Sequence, residues 1–233
     1  MSTHFDLRPI LTGEYGKQIL HGLETTLQLA VTTWILAIVL AMILVSVRLS
    51  GSAFGRRLVA GYVAYHRNVP TLVQLMLWYF AIPSLLPEAL QAWLADFGYE
   101  FIFAVIALSL CEAAFFSEDL RSGLRAVPEG QMEASRALGM GYIRAVHNVV
   151  MPQAIRNCLP SLINHTVTLF KNTSLAMAIG LSELTYATRE VENYTYRTFE
   201  VYLVATVVYL LISLAMMGAG ALLARRYRIE NAG

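Results

Sequence analysis

Apolar positions along this chain fall into blocks rather than into alternating or single-stripe patterns. Thr25 to Val47 runs 23 residues without a charge, and Val201 to Ala224 runs 24. An α-helix rises 1.5 Å per residue, and a bilayer core of roughly 30 Å needs about 20 apolar residues to cross it. Neither block alternates as a strand would, so both are expected to be membrane-spanning helices. Three less pure blocks lie between them. The second span is expected over about 62–86, with Pro70 and Pro83 inside it, behind a basic amphipathic stretch, Phe54 to Arg67, whose start can lie along the interface. The third is expected over about 101–117, ending past Glu112. The fourth covers about 159–181 and holds His165 and Lys171. The fifth is the clean block at 201–224. The expected fold is therefore an all-α membrane protein of about five spans, one domain over 1–233.

Charge sets the orientation. Four arginines lie between spans one and two, five lie between three and four, and three, Arg228 included, lie in the tail. That makes twelve, against four Lys or Arg on the other side. The positive-inside rule then places the C-terminus in the cytoplasm and, with five spans, the N-terminus outside. No cleavable signal sequence is expected, because residues 1–24 carry Asp6, Glu14 and no long apolar run. Residues 1–22 are left unassigned, with a short amphipathic surface helix as one possibility.

Composition agrees with a lipid solvent: 57% of residues are hydrophobic and 14% charged, and the mean hydropathy is +0.55. Soluble domains carry about 25% charged residues. The basic residues are dispersed, so nucleic acid is not an expected partner. Cys111 and Cys158 form no metal or disulfide pattern. The five histidines, His4 among them, show no zinc-binding spacing and no nucleophile–base pair, which leaves no enzyme chemistry and no metal site.

The segment 121–156 is the least membrane-like part of the interior. Pro128-Glu129-Gly130-Gln131 reads as a turn, Met132 to Leu138 as a short helix, and Gly139 or Gly141 as its left-handed cap. On composition alone it is an ordinary solvated connector. Its spacing is more specific: Glu133-Ala134-Ser135, three residues, Gly139, nine residues, then Val149, Met151 and Pro152. That run resembles the EAA loop of binding-protein-dependent ABC importer permeases, with Ser, Val and Met as mild departures. Further stretches are similar to the polar amino acid branch of that family: Arg67-Asn68-Val69-Pro70 with Val73-Gln74, Glu112-Ala113-Ala114 to Ser117-Glu118, Gly130-Gln131, Pro152-Gln153-Ala154, and Lys171 to Leu175. An interfacial aromatic belt accounts for Trp78, Tyr79 and Phe80 without further function, and Trp78 to Pro83 also resembles the glutamate/aspartate permeases, a lead on substrate.

The resemblance implies a type I importer permease in a bacterial inner (cytoplasmic) membrane. It implies a second permease subunit, the same or homologous, two cytoplasmic ATPase subunits and a periplasmic substrate-binding protein as partners, with membrane lipid around the spans and a polar amino acid, glutamate or aspartate, as substrate. ATP and Mg would belong to the ATPase, for this chain has no G-x-x-x-x-G-K-[ST] loop and no cofactor of its own is implied. The residues expected to couple to the ATPase are Gln131, Glu133, Ala134, Ser135, Ala137, Leu138, Gly139, Met140 and Pro152. A stand-alone ion-coupled transporter is the alternative; it explains buried charges but not the loop, and no internal repeat supports it.

Ionisable and polar residues at membrane depth are expected to mark a pathway. The candidates are Gln74, Glu112, His165, Lys171, Asn172, Thr173 and Ser174. Glu112 and Lys171 can serve an ammonium and a carboxylate, or can pair with one another structurally. The neutral groups, with Asn164 and Thr166, either line the same cavity or bond neighbouring helices.

Overall fold

The computed structural model describes residues 5–96 and 98–226, so Arg228 and His4 lie outside the described residues. Helices account for the chain, and no strand occurs among the described residues. They are α1 (Arg8–Leu11), α2 (Gly13–Leu49), α3 (Ala53–Asn68), α4 (Thr71–Met76), α5 (Glu88–Ala95), α6 (Tyr99–Arg125), α7 (Glu129–Ala137), α8 (Tyr142–Ala145), α9 (Met151–Asn172), α10 (Leu184–Thr195) and α11 (Thr198–Arg226). By length and apolarity α2, α6 and α11 can each cross a membrane.

Helix α6 is the centre. Two thirds of its most apolar window, 67%, is buried inside the protein, against 6% for α11. It packs on α2 along one side and on α9 along another, with α3 and α4 on a third. Small residues permit this. Ala113 meets Ala37 and Ala41 of α2 around Phe116 and Leu169, and Ala114 receives Val59 and Val63 of α3. A Cβ built on Gly123 would lie 2.5 Å from the Ala154 carbonyl oxygen, so only glycine lets α6 and α9 approach this closely.

Several expected boundaries change. Residues 13–22 are not a separate surface helix; they are the first turns of α2, which continues to Leu49 without a break. Their anchor is a cluster of Ile10, Ile19, Leu184, Val191 and Val201 that joins the chain's beginning to α10 and α11. The second block starts earlier, at Ala53, and is interrupted at Val69–Pro70. Proline lacks an N–H and pushes the preceding residue out of the helical region, and Val69 sits at φ −97°, ψ 131°. The third helix runs on to Arg125, and the fourth begins at Met151 with Pro152 in its first turn, where a missing N–H costs nothing. The connector is accordingly shorter than 121–156. Past Asn172 the fourth helix tightens into a 3₁₀ stretch, Thr173–Ile179, that ends at Gly180 with φ +88°.

The chain ends of these elements segregate. Arg48 of α2 pairs with Glu118 near the C-terminal end of α6. On α11, Tyr209 stacks on Phe170 whereas Gly220 faces Ile163, so α11 runs antiparallel to α9. Leu49, Arg125, Met151 and Arg226 therefore share one end of the bundle, and α7 and α8 project from it.

Candidate functional site

Two regions stand apart from ordinary packing: the α7–α8 loop and a polar face where α3, α6 and α9 meet.

Pro128 precedes α7 in an extended conformation, so Pro128 to Gln131 is not a free turn but the entry and first turn of the helix. The C-terminal end is a Schellman cap. Gly139 takes φ +81°, its N–H donates to Arg136 O at 2.9 Å, and Met140 N–H donates to Ser135 O at 3.1 Å. Gly141, at φ −63°, is extended and does not cap. Ser135 is the buried residue of α7, its hydroxyl donating to Gln131 O at 2.6 Å. Gln131 in turn accepts from Gln153 Nε2 at 3.2 Å, which ties α7 to the start of α9 beside Pro152. Glu133, Ala134 and Ala137 are exposed, and beyond them stand Leu138, Tyr142 and Ile143, at 80%, 66% and 82% exposure. Three large apolar side chains left this open beside a rigidly capped helix form a patch of the kind that a protein partner covers.

In the membrane-depth region, Gln74 is fully committed. Its Nε2 donates to the carbonyls of His66 at 3.0 Å and Val69 at 2.7 Å, the backbone oxygens freed by the Pro70 break, and its Oε1 faces His66 Nδ1 at 2.5 Å. It seals an interrupted helix. Glu112 is the middle residue of α6 and is 1% exposed. Its Oε1 accepts from Asn172 Nδ2 at 2.9 Å, and its Oε2 is buried with no hydrogen-bond partner. Of the two readings of Glu112 and Lys171, the structural pair is not formed: Asn172 points toward α6, whereas Lys171, one residue earlier on the helix, is exposed on another face. Among the described residues no carboxylate lies within ion-pair distance of Lys171. Thr173 is buried and donates to Phe170 O, and Ser174 donates to Lys171 O; both close the first 3₁₀ turn.

His165 is held by Asp119, whose two oxygens receive His165 Nδ1 and Ser161 Oγ, each at 2.5 Å. Asp119 thus fastens two successive turns of α9 to α6. The spacing of Ser161 and His165, four residues apart on a helix, was the available signal for a shared partner. Glu118 binds both Arg48 and Arg121. Glu183, fully buried, caps α10 through the N–H groups of Thr185 and Tyr186, both at 2.9 Å, and accepts from Tyr209 Oη at 3.0 Å. Sequence reasoning singled out neither Asp119 nor Glu183.

Asn157, Asn164 and Lys171 are exposed at intervals of seven along α9, with Thr168 and Pro160 on the same line. Pro160 has no N–H, so the Arg156 carbonyl loses its usual intrahelical donor on this same face. In hydrocarbon such a stripe would be costly, so it belongs against water or a protein partner. Next to it, Phe115 of α6 stacks on the His165 ring at 5.3 Å between centroids and carries the Arg67 guanidinium 5.6 Å above its own centroid. Arg67 was expected in a basic loop. The structure places it at the end of α3, only three residues along α6 from Glu112, about 4.5 Å of helix rise.

A model of the family described as "binding-protein-dependent transport system inner membrane component" matches residues 35–229. The chain belongs to this family. Relatives of the permease include amino acid permeases: it is 34% identical over 201 residues, 84% of this chain and 85% of the relative, to a probable amino-acid permease protein of Bacillus subtilis (strain 168). It is 30% identical over 214 residues to the glutamate/aspartate import permease protein of Escherichia coli (strain K12), covering 90% of this chain and 87% of that one. An arginine transport system permease protein of Bacillus subtilis (strain 168) is 30% identical over 213 residues, 91% of this chain and 94% of the relative. Among solved structures, an amino acid ABC transporter with histidines superposes with a TM-score of 0.82 at 29% identity, covering 96% of this chain and all of that one. The methionine transporter MetNI in an inward-facing conformation, at TM-score 0.70 and 19% identity, covering 94% of this chain and 100% of that one, shares the fold. The permease is thus a multi-pass inner-membrane subunit of a binding-protein-dependent amino acid ABC importer with a type I permease fold. Family membership decides against the stand-alone transporter.

Proposed function

We propose that this permease supplies half of the pathway of an ATP-driven importer of acidic amino acids, glutamate or aspartate. The observation that carries this reading is the exposed polar stripe of α9, which ends in Lys171 with no carboxylate partner within the described residues. A cation left open at this depth suits an anionic substrate. A second subunit, identical or homologous, closes the other half of the pathway. The N-terminus faces the periplasm and its binding protein, and the arginine-rich end faces the cytoplasm. There, α7 and its neighbours Leu138, Gly139 and Met140 dock into one of two ATPase subunits, which alone bind ATP and Mg. Because Gln131 ties α7 to α9 through Gln153, a tilt of the docked helix is passed to the helix that bears the stripe.

A second reading, a basic amino acid, is favoured by the buried, unpartnered Oε2 of Glu112. ATP-dependent uptake in proteoliposomes carrying the permease, its ATPase and its binding protein separates them. Labelled glutamate or aspartate accumulating only with internal ATP supports the first. Accumulation of arginine alone overturns it in favour of the second. Uptake without ATP defeats the coupling scheme.

A further inference from the structure

We propose that Arg67, steadied on the Phe115 ring, is a specificity-determining residue that receives a carboxylate of the amino acid as it passes the face where α3 and α9 flank α6. The inference rests on the reading of this face as a transport pathway, though not on which amino acid is carried.

Four observations converge. First, Arg67 is exposed yet held at the level of the α6 midsection: its helix packs along α6, and its guanidinium sits over Phe115, three residues from the middle of α6. Second, its charge is not spent. Glu118, the acidic side chain sharing its groove, is already bound by two other arginines, Arg48 and Arg121, and no carboxylate among the described residues pairs with Arg67. Third, there is room. A cleft of about 420 Å³ beside Arg67, bounded by α2, α3 and α6, is lined by Arg48, Val63, Ala64, Asn68 and Glu118 as well. Fourth, Phe115 joins Arg67 to the α9 face, because the same ring contacts His165. A planar guanidinium whose one face rests on an aromatic ring keeps its N–H edge free in a fixed direction, and that edge matches a carboxylate with two parallel hydrogen bonds. The Pro70 break secures the position: Gln74 clamps the His66 and Val69 carbonyls, so the turn that presents Arg67 cannot drift.

The test is uptake in proteoliposomes that hold the whole importer, with saturating loaded binding protein, for wild type, Arg67→Gln, Arg67→Lys and Arg67→Cys. Assembly is checked by gel filtration and thermal midpoint. Arg67→Gln should assemble and lose at least tenfold in uptake rate, while Arg67→Lys, which keeps the charge but not the two-pronged edge, should run above Arg67→Gln and below wild type. The thiol of Arg67→Cys should regain uptake when modified with a cationic aminoethyl reagent and not with an anionic sulfonatoethyl one; the native Cys111 and Cys158 are buried, and wild type treated alike is the control. Loss confined to glutamate and aspartate assigns the side-chain carboxylate, and loss for every amino acid carried assigns the α-carboxylate. An assembled Arg67→Gln importer running within twofold of wild type overturns the proposal, as does failure of both Arg67→Lys and the cationic reagent to restore transport. If wild type carries arginine and not glutamate, the acidic-substrate reading fails while the Arg67 experiment is still read on arginine.

Discussion

Asn172 donates its carboxamide to Glu112 Oε1 across 2.9 Å, joining the last α-helical turn of α9 to the midpoint of α6. The other Glu112 oxygen is buried without a partner. The bond sits where α9 gives way to a 3₁₀ stretch and where the α3–α4 segment is itself interrupted nearby, with Thr71 Oγ1 3.5 Å from Cys111 Sγ. Two discontinuous helices and one half-satisfied carboxyl group therefore meet at the same level of α6. Interrupted helices at mid-depth are where membrane transporters place their ligands.

Removing the amide isolates the carboxyl group. Asn172→Ala should destabilise the permease by about 1–3 kcal/mol, the usual cost of stranding a buried polar group, and lower the thermal midpoint in detergent. Glu112→Gln keeps the Asn172 bond, so its midpoint should stay near wild type while uptake falls at least tenfold. An unchanged uptake rate in Glu112→Gln would assign Glu112 to packing.

Helix contact at Gly123 is set by backbone. Its Cβ would lie 2.5 Å from the Ala154 oxygen and 2.7 Å from Cys158 Cβ. Neither can yield without moving α6 from α9, and Gly123→Val should cost roughly 1–3 kcal/mol or more through overpacking. The readout is the amount of folded protein in membranes. Gly218→Ala, with open space at that position, serves as the comparison and should accumulate normally.

Gly139 has the opposite profile. Nothing lies within 4 Å of its Cβ position, but φ is +81°. Gly139→Glu should be accommodated by the membrane helices and cost roughly 1–2 kcal/mol locally, since non-glycine residues resist the left-handed region. Membrane levels should match wild type, while co-purification with the ATPase and uptake are both lost. Normal transport by the assembled variant would remove α7 from the coupling step.

Glu183 holds the far end together. Glu183→Ala strips two N–H groups of their acceptor and leaves Tyr209 with Thr185 Oγ1 in place of two partners, at a cost of about 1–3 kcal/mol. Limited proteolysis should detect a loosened α10 before global unfolding. Glu183→Gln, which still accepts one N–H bond, should fall between it and wild type.

Much of this was written into local sequence. The charge-free runs at 25–47 and 201–224 fix α2 and α11 because a helix of that length and polarity can be buried in lipid wherever the rest of the chain goes. Gly139 declares the end of α7, and Pro70 the break after α3, because each restricts its own backbone. The EAA spacing is likewise local, and it located the loop before any fold was known. Helix ends were less legible: Gly13 to Glu24 carries charges, and it is helical because Ile10 and Ile19 find Leu184, Val191 and Val201, more than 160 residues away.

The partners at membrane depth were decided only by tertiary packing. The sequence offered Glu112 and Lys171 as opposite charges, but one residue of helical rotation separates Asn172, which faces α6, from Lys171, which does not. Arg67 looked like a loop arginine because nothing local reveals that α3 climbs beside α6 before it breaks. Composition and periodicity report what each helix needs from its surroundings; which helix meets that need depends on small residues, such as Ala113, Ala114 and Gly123, that set how closely distant segments approach.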